Sequence, residues 1–434
     1  MSTKTTRRLL AGTALALSAA LGLTACGVGQ DPSKAAAEGG ELTIWAWEPT
    51  LKKVVEAYEE EHPEVKIDLV NVGTGNDQYT AVQNAISAGS GGPDIAQLEY
   101  FAMGQFELSE SLAELNEFGA DKLADQFATG PWEGMSTDSK VYGLPMDSGP
   151  MALFYNAALF KKHNIDVPKT WEQYAAAARK LHEADPKSYM VNDTGDAGFI
   201  TSLIWQAGGK PFTTQGTEVG INLNDEGAQK VTKLWQPLLD DKMVAPITSW
   251  SDEWYKGLGD GTIASLVTGA WMPANMESGV AEGSGDWKVA PMPQWEDGNM
   301  ATAENGGSGL SVLKDSKNAA LAYDFLEFAT VGEGADLRIS QGAFPATTKD
   351  LNDEEFLNRK FDYFGGQQIN KVLSDSSANV VPGWSYLPFQ AYANSIFNDT
   401  AGKAYISNTT LSDGLGQWQK SLQTYATDQG FTAK

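Results

Sequence analysis

Between Glu41 and Tyr100, short apolar runs of strand period alternate with segments of helical period, and this alternation restricts the chain more than any single motif. Residues 42–47 read as a strand. Leu51, Val54, Val55 and Tyr58 recur at three- to four-residue spacing inside a helix over 50–61, which Pro63 stops. Residues 65–70 alternate as a second strand, 79–88 are helical, and 94–98 form a third short strand after Gly-Gly-Pro. The order βαβαβ calls for a parallel sheet with right-handed crossovers and helices on its faces.

A second unit of the same kind begins after 142–147. An apolar run covers 151–155 and a helix covers 157–163. Thr170 caps another helix carrying Glu172 and Tyr174 to Leu181, and further helices are expected over 198–207, 225–239 and 318–329. No short internal repeat is visible. The glycine-rich stretch 304–309 is a natural place for the backbone to pass between lobes. With 434 residues and 42% hydrophobic content, the chain can bury an ample core in two or three domains.

Charge narrows the partners. Lys plus Arg number 31 against 56 Asp plus Glu, a net charge of −25. Such a surface repels phosphate backbones, so nucleic acid is excluded as a partner. A single Cys cannot form an internal disulfide, and His62, His163 and His182 are too scattered to suggest a metal cluster. No metal and no cofactor are expected.

The N-terminus has a different character. Lys4, Arg7 and Arg8 precede an uncharged run from Leu9 to Ala25, the layout of a secretory signal, and no basic stop-transfer flank follows. The junction Leu23-Thr24-Ala25-Cys26-Gly27 resembles a bacterial lipobox. That resemblance implies a signal peptide over 1–25, lipidation of Cys26, and a lipidated N-terminus with a flexible tether over 26–40. A random coil of that length spans about 20 Å. Arg7-Arg8 hints at twin-arginine export, although the residues around it fit that pattern poorly. Removing the leader leaves 28 Lys plus Arg against 56 acids, a net of −28.

Ligands of open α/β sheets bind beyond the carboxyl ends of the strands. After the first strand come Trp47 and Glu48, after the second Asn76 in Gly73-Thr-Gly-Asn-Asp77, after the third Glu99 and Tyr100. An indole face with carboxylates and amides suits a neutral polyhydroxylated ligand: the ring takes the C–H face of a sugar and the polar groups take its hydroxyls. Trp45 is expected to pack inward and Trp47 to face the site. Further stacking candidates are Trp205 on an amphipathic helix, Trp250 and Trp254 in a polar loop, Trp271 in Gly-Ala-Trp-Met-Pro and Trp384 in Pro-Gly-Trp-Ser, whereas Trp235 and Trp418 have the spacing of packing residues.

Gly-Gly-Pro-Asp-Ile-Ala-Gln-Leu-Glu-Tyr (91–100), Tyr-Gly-Leu-Pro-Met-Asp (142–147), Leu-Phe-Tyr-Asn (153–156) with Leu159-Phe160, and Val-Pro-Lys-Thr-Trp-Glu-Gln-Tyr (167–174) occur in this order, followed by Glu-Asn-Gly-Gly-Ser-Gly (304–309) and Gly-Ala-Phe-Pro (342–345). With the lipobox, the set resembles the extracellular solute-binding lipoproteins of carbohydrate ABC importers, family 1, over nearly the whole mature chain. The resemblance implies an α/β, two-lobed periplasmic-binding-protein-like fold. Each lobe would be a mostly parallel sheet flanked by helices, with the ligand cleft between lobes. Lobe 1 would comprise 41–150 plus 306–345, and lobe 2 would comprise 151–305 plus 346–434. Carried over by position, Trp47, Glu48, Asn76, Glu99 and Tyr100 would line the first wall and Asp147 would sit at a crossing. Trp205, Trp254 and Trp271 would face them, Glu304, Asn305 and Gly306 would form another crossing, and Trp384 would stack from the C-terminal part.

The expected protein is a monomer, anchored by lipid to the outer face of a bacterial cytoplasmic membrane. It would capture a di- to tetrasaccharide and hand it to the permease subunits of an ABC importer. Two other readings stay open on sequence: a secreted carbohydrate-active enzyme using a pair among Glu48, Glu99, Asp147 and Glu304, and a receptor for polyamines or other cations, which acidic and aromatic boxes also suit. Nucleophile-elbow, P-loop and dinucleotide-binding patterns are absent.

Overall fold

The computed structural model describes residues 31–192 and 197–434; the leader and Cys26 lie outside the described residues. The first sheet grows from β1 (Gly40–Trp45), β2 (Val65–Val70) and β3 (Ile95–Glu99), with α2 (Leu51–Glu61) and α3 (Asn76–Ala88) as crossovers. β1 pairs in parallel with β2 (Leu42 opposite Ile67) and with β3 (Ile44 opposite Ile95), as the βαβαβ pattern requires. Leu51, Val54, Val55 and Tyr58, the predicted apolar face of α2, are all buried.

A short strand β4 (Leu144–Pro145) ends this part of the chain, and β5 (Met151–Asn156) opens the second sheet, flanked by β6 (Ser265–Gly269) and β7 (Trp287–Pro291). The chain then returns: β8 (Ser308–Val312) inserts into the first sheet, whose order is β2-β1-β3-β8-β4, antiparallel to both neighbours. In the second sheet β5 is antiparallel to β6 and to β7. This corrects the expected mostly parallel second sheet. The long segment 157–264, with several helices and short strands of its own, separates β5 from β6, so no single crossover helix dictates their direction.

Separate hydrophobic clusters sit under the two sheets. One gathers Ile44, Val54, Tyr58, Leu144, Val312 and Phe325; another gathers Trp171, Leu203, Trp235, Leu415 and Trp418. Trp235 and Trp418 are fully buried, as their spacing foretold. Thr170 caps its helix (Trp171–Ala184) by accepting the Gln173 N–H.

Two expectations change. Residues 32–38, assigned to a flexible tether, form helix α1 (Pro32–Glu38): Asp31 accepts from Ser33 and Lys34, Pro32 starts the turn, and Ala35 and Ala36 are buried. The small alanine face lets α1 dock on the helix Ala319–Thr330 of the first lobe. Trp45 and Trp47 do not divide between core and site either. Both are half-buried against the same cluster, which includes Tyr79 and Phe106, because side chains two apart on an extended chain share a face.

Candidate functional site

The main-chain passages between the two sheets run side by side. Asn305 N donates to the Gly149 carbonyl at 2.8 Å, Met151 N to the Ala303 carbonyl at 2.9 Å, and Pro150 bridges Glu304. A third passage, 343–347, joins them where the Ser148 hydroxyl donates to the Pro345 carbonyl at 3.3 Å. Gly306 and Gly307 have φ of 81° and 95°. A side chain at Gly307 would enter the Tyr100 ring, so this bend is open only to glycine.

The loop after β1 is held from below by Gln97. Its Oε1 accepts both the Trp47 and Glu48 N–H groups at 3.0 Å, and its Nε2 donates to the Ser308 Oγ at 3.0 Å. Ser308 in turn serves Asp147: its N–H donates to Oδ1 at 2.6 Å and its hydroxyl lies 3.2 Å from Oδ2. Gln97 is 1% exposed. This chain of bonds fixes Trp47, Glu48 and Asp147 in one frame. Glu99 accepts the Tyr79 hydroxyl at 2.7 Å, beside Gly75. Asn76 stands exposed at the start of α3.

Carboxyl groups crowd the crossing. Burial pushes Glu304 up to about 8, and the charges of Asp147 and Glu133 add to it. Burial pushes Asp147 up to about 6, with the Arg338 guanidinium working against the rise and Glu48 with it. Arg338 is 2% exposed, donates from Nη1 to the Met146 carbonyl at 2.7 Å, and leaves Nε and Nη2 without a partner. Burial lowers its own pKa.

Aromatic rings cover the other side. Trp271 donates its indole N–H to the Asn305 carbonyl at 2.7 Å, which ties the second sheet to the crossing. Trp250 leans on Trp254 and on Trp271, with centroids at 4.9 and 5.4 Å. These rings border a pocket that includes Asn192, Ser249 and Thr268. Trp205 and Trp384 stack at 5.0 Å and 7°, and Trp384 meets Tyr386 edge-on. Tyr386 packs among the first-lobe rings and so bridges the lobes.

Three of the expected stacking or lining groups have structural duties. Tyr100 is buried and its hydroxyl donates to the Asp147 carbonyl, so it braces the crossing. Trp254 is buried and its N–H is spent on Asn192 Oδ1 at 2.8 Å. Trp205 is buried, donates to the Val381 carbonyl at 2.6 Å and gives one face to Trp384. Trp47, Glu48, Glu99, Asp147, Trp271, Glu304, Asn305 and Gly306 gather near the crossing. Gln97, Ser308, Arg338 and Tyr386 were not singled out from sequence; the polar one of these with a local signal is Gln97, an amide in the middle of a short strand between apolar neighbours.

The family model for bacterial extracellular solute-binding proteins matches residues 46–335. An arabinooligosaccharide-binding protein of Bacillus subtilis (strain 168) is 27% identical over 427 residues, 94% of this chain and 95% of the relative. A lactose-binding protein of Rhizobium radiobacter is 26% identical over 78% of this chain and 82% of its own length. Among solved structures, the ABC transporter associated binding protein from B. animalis subsp. lactis Bl-04, in complex with beta-1,6-galactobiose, is 44% identical. It aligns with a TM-score of 0.83, over 91% of this chain and 99% of that one.

Proposed function

The chain belongs to the family of bacterial extracellular solute-binding proteins, and from that premise we propose that it captures a neutral oligosaccharide of two to four rings and delivers it to the permease of an ABC importer. The observation that carries the reading is the frame at the crossing. Trp47, Glu48 and Asp147 are locked together through Gln97 and Ser308, while Trp271 is tied to the facing passage at Asn305. Carboxylates there accept sugar hydroxyls and indoles take C–H faces. The relatives named for arabinooligosaccharides and lactose, and the galactobiose complex, support the same class. As a solute-binding protein it is not an enzyme, so its acids hold ligand rather than cleave it.

In this reading lobe 1 comprises 41–150 plus 306–345 and lobe 2 comprises 151–305 plus 346–434. Ligand that bridges both lobes stabilises a closed arrangement already present in the unliganded ensemble. The leader up to Ala25 is removed, Cys26 carries lipid, and a monomer works at the outer face of the cytoplasmic membrane. The side chains of Glu99, Asn76, Glu304 and Trp384 complete the lining.

Calorimetric titration of the protein with neutral oligosaccharides tests this. One glycan family is expected to bind at micromolar concentration or tighter, without turnover and with little dependence on salt. Strong weakening by salt would instead mark a cationic ligand. Trp47→Ala is expected to weaken the bound glycan roughly tenfold while the fold survives, the worth of one stacked ring. Unchanged affinity would remove Trp47 from the site.

A further inference from the structure

Among the described residues, Arg338 is the only buried cation. It projects from the helix Glu333–Ser340, which packs on α2 so closely that a side chain at Gly334 would meet Val54. Taking a guanidinium out of water is costly unless hydrogen bonds replace the lost hydration. Here they do not: Nη1 makes one bond, and Nε and Nη2 have none. An apolar side chain of similar size would fill the same space at less cost, so packing does not explain the charge.

The one bond falls at a telling place. The Met146 carbonyl that Nη1 holds belongs to the peptide joining Met146 to Asp147. The N–H of that same peptide donates to the Ser308 carbonyl at 3.2 Å, and the Ser308 N–H returns to Asp147 Oδ1 at 2.6 Å. The peptide is thus gripped from both sides, with the buried guanidinium on one and Asp147, still half-exposed, attached to the other. The ionisable groups facing this point are the carboxyls of Glu48 and Glu304, with Glu133 next to Glu304, and the Tyr100 hydroxyl, which donates to the Asp147 carbonyl. Asp350 borders the small cavity that Arg338 also lines. Arg338 is the only cation in this set, and its charge opposes the burial and the Glu48 charge that favour a proton on Asp147.

We propose that Arg338 is a positioning residue for ligand capture: through the Met146–Asp147 peptide it fixes the Asp147 carboxylate at the crossing and keeps it charged, so that Asp147 accepts sugar hydroxyls and repels anionic sugars. Arg338 does so from beneath the crossing and touches no ligand. The inference rests on the oligosaccharide reading above, in which Asp147 is an acceptor.

The test is a cycle of Arg338→Met, Asp147→Asn and the double variant in the full chain, with Arg338→Lys as the conservative change. Melting temperature is followed without ligand between about pH 5 and pH 8. Binding of β-1,6-galactobiose and lactose is followed by calorimetry over the same range. Wild-type affinity is expected to fall as pH drops through about 6, where Asp147 takes up its proton. Arg338→Met should move that midpoint up by one pH unit or more, with an affinity loss of about tenfold at pH 7, and Arg338→Lys should bring it back towards the wild-type value. Asp147→Asn removes the midpoint, and Arg338→Met added to it should leave the pH profile unchanged; Glu304 titrates alike on both sides of this comparison.

In the melts, Arg338→Met is expected to lose about 2–4 °C more at pH 8, where Asp147 is ionised, than at pH 5, where it is protonated. Asp147→Asn should abolish that widening. Should Arg338→Met fail to fold, the double variant is expected to regain the fold, because the carboxylate left without its counter-charge is gone. A uniform loss at every pH, an unshifted midpoint, or a double variant no more stable than Arg338→Met overturns the proposal and leaves the oligosaccharide reading intact. A wild-type protein silent to neutral saccharides overturns that reading together with the role in capture, while the melts still decide whether Arg338 keeps Asp147 charged.

Discussion

Alanine at Gly149 is expected to push apart the two main-chain passages between the lobes, at a cost of about 2–3 kcal/mol in stability. A Cβ built there falls 2.3 Å from the Asn305 carbonyl oxygen and 3.1 Å from the Gly306 carbonyl carbon. Both obstacles are backbone, so no rotamer change can relieve them. The Gly149 carbonyl itself accepts the Asn305 N–H at 2.8 Å, and separating the strands strains that bond. Glu304 and Asp147 lie within two residues of the wedge, so oligosaccharide affinity should also drop, by roughly tenfold or more, since misplaced polar groups forfeit their bonds to ligand. Gly416 supplies the control. It lies exposed in the helix Leu411–Asp428 with nothing within 4 Å of an added Cβ, and alanine there is expected to stabilise by about 0.5–1 kcal/mol. Thermal melts and calorimetry of the two variants check both signs; equal behaviour would show that the passages yield easily.

The second large effect is a loss of stability as pH rises. Glu304 is pushed up to about 8 and Asp147 to about 6, from ordinary carboxyl values near 4. Between those limits the folded protein binds more protons than the unfolded chain, so stability declines with increasing pH, first through Asp147 and then through Glu304. The loss is on the order of a few kcal/mol. Other carboxyls whose pKa burial also raises, such as Glu133 on Thr129–Gly134, push the same way. Glu304→Gln keeps the shape and removes the larger part. Its melting temperature should exceed that of the wild type at about pH 8.5 and approach it at about pH 5.5. Parallel pH profiles for the two proteins would mean that Glu304 is charged and solvated at neutrality.

How far the molecule could be read in advance depended on the range of the forces involved. Local periodicity located β1, α2, β2 and β3 within a residue or two, and the Thr170 cap and buried Trp235 and Trp418 followed from spacing. The glycine-rich 304–309 was legible as a passage between lobes because a turn requiring positive φ is written in residue type. Arg338 was not legible. A charged residue on a short helix reads as solvated, and it is the packing of Ala343 to Thr347 and Met146 around it that buries the guanidinium. Trp250 was legible as a stacking candidate, but its left-handed φ of 69° was not, because residue type alone does not foretell that conformation for a tryptophan. Tyr100 and Trp254 look like ligand-facing aromatics in sequence, and only long-range partners, the Asp147 carbonyl and Asn192, claim their polar atoms.

The insertion of β8 between β3 and β4 also has a temporal meaning. During N-to-C synthesis, β1, β2, β3 and β4 all emerge long before Ser308, yet β3 and β4 have no contact in the sheet except through the late strand. Until then both carry unpaired edges, and the first core lacks Leu310 and Val312. The first sheet therefore cannot be completed until the intervening 151–305 has been made. Its closure waits on contacts more than 200 residues apart in sequence, such as Ser308 with Gln97, a high contact order that slows folding. A chain built this way stays open and threadable while most of it is already made, and acquires its native form only once nearly three-quarters of its length is free.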